Sequence, residues 1–159
     1  VLMIAQHKDI HDSKKLEGGK EMSYQKPIPL KNEDNHPYWD AADRHELVLQ
    51  KCDSCQTHLH PPGPACAKCG STELSWENKG SDILGSGYSY FVSYRPFLPG
   101  FQDDLPHIIA SIEVADAREV KLIGNVLECS PEDIEIGMPV KMIRQDITEE
   151  RALPQWTRA

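Results

Sequence analysis

Apolar and polar positions alternate along most of this chain, and a helical period surfaces once. Asn35-His36-Pro37 reads as a helix start, because proline fits the first helical turn. About two turns of helix follow as far as Arg44, and Tyr38, Trp39 and Ala42 share one face at i, i+3 and i+4 spacing. So short a helix needs a surface to lie on, either the rest of the chain or another subunit. Leu47–Gln50 reads as a strand, and the alternating stretch Glu73–Glu77 as its returning partner. A turn at Lys79–Asp82 marks a boundary. Beyond it, strands are expected at Ile83–Tyr94, His107–Val114, Glu119–Leu127 and Met138–Gln145. Gly85 and Gly87 place a bulge or sharp coil in the first of these. Ser130–Gly137 begins with a helical turn and stops at glycine. Glycine-kinked strands with little helix point to a small closed barrel, since closure removes exposed edges. A five-stranded barrel of OB type fits if the long first strand bends into two pairings.

The linker between the first two strands carries the strongest chemical signal. Cys52-Asp-Ser-Cys55 is followed, ten residues later, by Cys66-Ala-Lys-Cys69-Gly. Two Cys-x-x-Cys turns at this separation can bring four thiolates to one tetrahedral ion. Gly70 suits the tight turn after the second pair, and Pro61, Pro62 and Pro64 stiffen the loop between them. Four sulfurs close the coordination sphere, so the ion holds the fold rather than performing chemistry. Zinc is the expected occupant, with iron the alternative for a four-thiolate site. Disulfides are the competing reading and need an oxidising compartment, whereas Val1–Ala5 is too short for the apolar core of a signal peptide. A redox dithiol needs only one pair. His58 and His60, between the pairs, are substitute ligands or solvated loop residues.

Composition narrows the setting. Hydrophobic residues make up 39% of the 159, and the formal charge is −8. Phosphate backbones repel so acidic a chain, which lowers the case for general nucleic-acid binding. No apolar run reaches the roughly 20 residues that span a bilayer, and a cytoplasmic setting is the default. Residues 1–35 read as an extension: His7–Glu21 is polar, Gly18 and Gly19 interrupt any helix, and Met22 is the expected initiator. The remaining divisions are 36–50 (helix and lead-in strand), 51–78 (ribbon), 79–146 (barrel) and 147–159 (tail).

Several side chains invite a sharper reading. Phe97, Leu98 and Phe101 sit among prolines in an unusually apolar loop, Arg95–Pro106, which suits a partner or ligand contact. Trp156, in the tail, is a further exposed-aromatic candidate, and Tyr38 and Trp39 join it as partner contacts. Cys129 reads as a small buried hydrophobe. His107 near Asp103 and Asp104 resembles a base with its orienting carboxylate, but no nucleophile accompanies it. No phosphate-binding glycine loop is present.

These motifs, in order, resemble a known family. Pro37-Tyr-Trp-Asp, Leu47-Val-Leu-Gln-Lys-Cys-Asp-Ser-Cys, Cys66-Ala-Lys-Cys-Gly-Ser, Trp76, Gly85-Ser-Gly-Tyr-Ser-Tyr and Pro131-Glu-Asp-Ile-Glu-Ile-Gly-Met-Pro-Val together look like the DUF35 family. Its members join a rubredoxin-like zinc ribbon to an OB-fold, and the resemblance spans residues 36–146. It implies a mainly β protein with one structural zinc. It also implies a non-catalytic subunit of a thiolase-type complex, which helps enclose a CoA ester while a thiolase-fold partner supplies the catalysis. Some members serve aromatic or steroid degradation, including benzoylsuccinyl-CoA thiolases. A CoA ester would need cations and a stacking surface. Lys51 and Lys68 are candidates for its phosphates, Trp76 or His58 for adenine, and Arg95 for the cover over the acyl end. The runner-up is a nucleic-acid-binding module, with Tyr88, Tyr90, Phe91 and Tyr94 stacking bases. On strand periodicity Tyr88, Tyr90 and Tyr94 share a face that is expected simply to pack, with Phe91 opposite. A rubredoxin-like electron carrier is the third reading.

Overall fold

The computed structural model describes residues 24–159; the expectations for Val1–Ala5, His7–Glu21 and Met22 lie outside the described residues. The one α-helix among the described residues, α1 (His36–Asp43), carries its proline in the first turn as expected. A three-stranded antiparallel sheet follows, in which β1 (Leu47–Cys52) lies between β2 (His58–Leu59) and β3 (Leu74–Gly80). β3 runs through the anticipated boundary turn to Gly80, whose φ of 81° makes the turn itself.

The rest of the chain closes into a barrel. Its strands β4 (Leu84–Ser93), β5 (His107–Val114), β6 (Ala117–Val126), β7 (Pro139–Thr148) and β8 (Arg151–Arg158) are ordered β4-β5-β6-β8-β7 around the wall. One pair is parallel, β6 with β8, through Val126 and Trp156. This is the five-stranded OB arrangement. β4 does bend into two pairings, with β5 and with β7, yet it counts once, and the fifth strand is supplied elsewhere. It is the segment expected to be a tail, so residues 151–158 belong to the barrel. Pro154 interrupts that segment, and a proline within a run argues against a strand. β8 tolerates it in a seam with β6 that has little backbone ladder: the Gln155 side chain accepts from Asn125 N–H (2.7 Å) where a carbonyl would otherwise serve.

Trp156 is therefore corrected from an exposed partner contact to the centre of the core, where it is 0% exposed. Its ring presses on Gly124: a Cβ there would lie 3.0 Å from Trp156 Cδ1 and 3.1 Å from Pro154 O. Gly85 has a similar role at the β4–β5 crossing, where a Cβ would meet Ile112 Cγ2 at 2.6 Å and Glu113 O at 2.7 Å. β5 shows the period the barrel needs, with Ile108, Ala110, Ile112 and Val114 facing inward. Leu47, Leu49 and Tyr38 join the same core cluster, so β1 and α1 are rooted in the barrel.

Tyr38 thus packs within its own chain, and its candidacy as a partner contact is withdrawn. Trp39 is half-buried against the core, with the Arg151 guanidinium 5.6 Å from its ring centre. Asp43, in the last turn of α1, forms an ion pair with Arg151 (Nε 2.9 Å away) and accepts from Ala152 N–H (3.1 Å), which ties the helix to the start of β8. No helix among the described residues is long and apolar enough to cross a membrane.

Truncating Trp156 to alanine should leave a cavity that the closed wall cannot collapse around. Loss of about 3–5 kcal/mol is expected, read as a lower urea midpoint at unchanged slope.

Candidate metal centre and the ribbon–barrel junction

Both Cys-x-x-Cys pairs fold the chain in the same way. Gln56 N–H donates to Cys52 O and Gly70 N–H to Cys66 O, each at 2.8 Å. Cys52 and Cys66 in turn donate to Thr57 O (3.0 Å) and Ser71 O (2.8 Å). The fifth residue of each turn is left-handed, with φ of 60° at Gln56 and 77° at Gly70. Glycine adopts this at no steric cost, and Gln56 adds a side-chain bond to Asp53 O (2.8 Å). Ser54 and Ser71 hydroxyls link the two turns at 2.9 Å.

This backbone brings the Cys52, Cys55, Cys66 and Cys69 sulfurs within 4.8 Å of one another. Cys52 and Cys69 are 3.6 Å apart, as are Cys55 and Cys66. Sulfurs about 2.3 Å from a central ion in a regular tetrahedron are about 3.8 Å apart, so the set fits a four-thiolate zinc. All four cysteines are free of disulfides. The Thr57 hydroxyl and N–H pull the Cys55 thiol down to about 6, and the Cys69 and Lys68 N–H groups lower Cys66. Backbone N–H groups thus favour thiolate, the form that binds metal, at Cys55 and Cys66. At Cys69 the Ser71 N–H lowers the pKa, but the crowding Cys52 and Cys55 sulfurs push it up to about 12. Neither His58 nor His60 belongs to the sulfur cluster. His60 packs its ring 4.9 Å from Tyr38, and burial pushes its pKa down to about 4.

His58 instead joins ribbon to barrel. Its Nδ1 lies 3.0 Å from Glu119 of β6 and its Nε2 3.3 Å from Glu77 of β3, while its backbone N–H donates to Glu119 (2.9 Å). Glu77 also receives Lys51 (2.8 Å) and Lys79 (2.6 Å), which hold its carboxyl down at about 2. Gln50, buried beneath, clamps Gly63 through both amide atoms at 2.9 and 3.0 Å and so pins the proline-rich loop to β1.

Of the candidates for CoA, Lys51 and His58 meet at Glu77, but there they are engaged with carboxylates. The Lys51 ammonium is bound to Glu77, and His58 is held edge-on between two carboxylates, which removes it as a stacking ring. Trp76 packs against the core. Lys68 is exposed on the second knuckle, and Arg95 lines a shallow cleft of about 320 Å³ with Phe91, Val92, Ser93, Tyr94 and Phe97. Of the loop aromatics, Phe97 is 81% exposed, whereas Phe101 stacks on His107 at 5.7 Å beneath Lys26. Asp104 pairs with Lys26, so the histidine–carboxylate arrangement at His107 is not formed. Cys129 is only partly buried at the core's margin.

Two features escaped the sequence reading. The bulge between Gly87 and Ser89 moves Tyr88 to the outer face, beneath Lys121 Nζ at 4.9 Å, and the expected packed tyrosine face is instead exposed. The Arg144 guanidinium is buried without a hydrogen-bond acceptor, and nothing among the described residues explains it.

Comparison with known proteins agrees with this architecture. Residues 39–75 match the family described as the ChsH2 rubredoxin-like zinc ribbon domain, and residues 85–144 the ChsH2 C-terminal OB-fold domain. A probable enoyl-CoA hydratase alpha subunit of Thermomonospora curvata is 36% identical over 81% of this chain, which spans only 39% of that protein. A DUF35 domain-containing scaffold protein of Methanocaldococcus jannaschii is 31% identical, covering 68% of this chain and 74% of its own. In the solved structure described as the Ltp2-ChsH2(DUF35) aldolase, one chain superposes with a TM-score of 0.71 at 35% identity, covering 82% of this chain and 98% of that one.

Purified protein should carry one zinc per chain, colourless and lost on chelation. Cys66→Ser should abolish stoichiometric zinc in elemental analysis and unfold the ribbon while the barrel's strand signal persists.

Glu77 has a lowered pKa, so its contribution is present above its ordinary value of 4.5 and lost as pH falls towards about 2. The stability gap between wild type and Glu77→Gln should therefore be full at pH 7 and shrink below about pH 5. At about 1 kcal/mol or less for a screened group, it is best read as a difference in urea midpoints, in which the metal's own pH dependence cancels.

Proposed function

The chain belongs to the DUF35 family, and from that premise we propose that it is a non-catalytic accessory subunit of an acyl-CoA-processing enzyme. In this reading a thiolase-fold subunit supplies the reacting groups. The present chain braces the assembly and helps to enclose the CoA ester. The observation that carries the proposal is the likeness to the DUF35 chain of an aldolase, which extends over 98% of that chain. A relative made of little more than ribbon and barrel is thus described as part of an enzyme together with a second protein. The closed four-sulfur sphere supports the same division of labour, because a metal without an open position braces a fold and activates no water.

Within such an assembly, Arg95 and Phe97 form the cover for the acyl end, since they share one open cleft. Lys68 is the exposed candidate cation left on the ribbon for a CoA phosphate. A hydratase partner is the second reading, favoured by the likeness to the T. curvata alpha subunit. That chain is more than twice as long as the matched part, so its activity does not pass to this one on likeness alone.

Affinity purification of the tagged full chain from its native host, followed by mass spectrometry, should recover one acyl-CoA enzyme subunit in fixed ratio. Thiolysis or hydration of acyl-CoA should appear in the complex and not in the chain alone. A monomer that retains its zinc and captures no such subunit would overturn the proposal.

A further inference from the structure

The barrel wall has one incomplete stretch. β4 is laddered to β7 only through Leu84–Ser86, and Gly87 closes that seam with bonds to Met138 O (3.0 Å) and from Gly137 N–H (2.7 Å). From Tyr88 to Ser93 the strand keeps β5 on one side and has no strand on the other among the described residues. Such an edge is a template for pairing, which proteins ordinarily blunt with charge, proline or a cover. Here no charged residue or proline occurs between Asp82 and Arg95.

The flanking surface is equally unusual. Ten large apolar side chains are exposed among the described residues, and five of them lie between Tyr88 and Phe97. They sit on both faces of the strand. Tyr90 pairs with Ala110 and so faces the barrel mouth, whereas Phe91 pairs with Ile109 on the outer face. An exposed apolar patch with unpaired backbone beside it calls for an extended segment, not a flat surface.

We propose that Tyr88–Ser93 receives an extended segment of the acyl-CoA enzyme subunit, which adds a strand to the barrel and buries Tyr90 and Phe91. This rests on the function proposed above. A second copy of the chain fits poorly. Antiparallel self-pairing would set Tyr88 against Ser93, and one step further would bring Tyr94 onto Gly87, whose backbone is already bonded to residues 137 and 138. Six residues a side fall far short of the roughly 20–30 that a stable interface uses. A different chain is free of that symmetry and can continue beyond the edge onto other parts of the surface.

The test uses the full chain and the enzyme subunit recovered with it, each purified. Hydrogen exchange should slow at backbone amides within 88–93 on complex formation. Tyr90→Lys and Phe91→Asp, at exposed positions, should weaken the complex at least tenfold, with zinc content and melting temperature unchanged. Leu30→Asp, exposed in the segment ahead of α1, should bind as wild type. A complex that forms with unchanged exchange and full affinity in both edge variants overturns this inference and leaves the accessory-subunit reading standing. Absence of any complex overturns both. Protection that grows with the chain's own concentration assigns the edge to a second copy. Exchange that quickens in the free chain on removal of residues 1–23 assigns it to that segment. Either result also overturns the inference.

Discussion

Four sulfurs gathered on one ion make the ribbon a structural unit that its own side chains could not sustain. β2 is two residues long, and the ten residues between the knuckles include three prolines and only one large aliphatic side chain, Leu59. The fully buried groups at its tip are Cys52 and Cys66 themselves. Coordination contributes on the order of 10 kcal/mol or more in small zinc modules, a scale that the few apolar contacts here cannot match. The consequence reaches beyond the ribbon, because Cys52 ends a strand whose other end, Leu47 and Leu49, lies in the barrel core. The ion therefore fixes one end of a rod that apolar packing grips at the other.

Electrostatics then orient the two parts. The Glu77–His58–Glu119 bridge joins β3 to β6, and Asp43–Arg151 joins α1 to β8. Each partly exposed pair is worth little by itself, but two at separate places define a single docking angle. The bridges also consume cations. Lys51 and Lys79 both end on Glu77, so of the basic residues around the knuckles Lys68 alone stays exposed.

Elements governed by local rules were readable in the sequence. The cysteine spacing, the helix start at Pro37 and the alternation of His107–Val114 each depend on neighbours within a few residues, and each appears where it was expected. What was not readable depends on distant partners. Nothing near Trp156 states that Gly124, 32 positions earlier, leaves room for its ring, so a tryptophan beside a proline in a terminal segment reads as exposed. His58 reads as a loop residue because Glu119 is 61 positions away. The tyrosines of β4 mislead for a third reason: a bulge changes the parity of the strand, and periodicity carried across it assigns Tyr88 to the wrong face.

Metal and barrel are both closed systems, and that closure bears on how the module is used. A tetrahedral sphere filled by four cysteines offers no ligand position, and most of the wall offers no backbone. Whatever this chain contributes must therefore come from surface, and its surface is least finished beside β4. A module of that kind places no demand on the chemistry of the protein it joins. The same ribbon and barrel can then occur in chains described as a hydratase subunit, a scaffold and part of an aldolase, three roles that share no reaction step. In this chain the ribbon is held to the barrel by a strand that runs from the sulfur cluster at Cys52 to the core at Leu47.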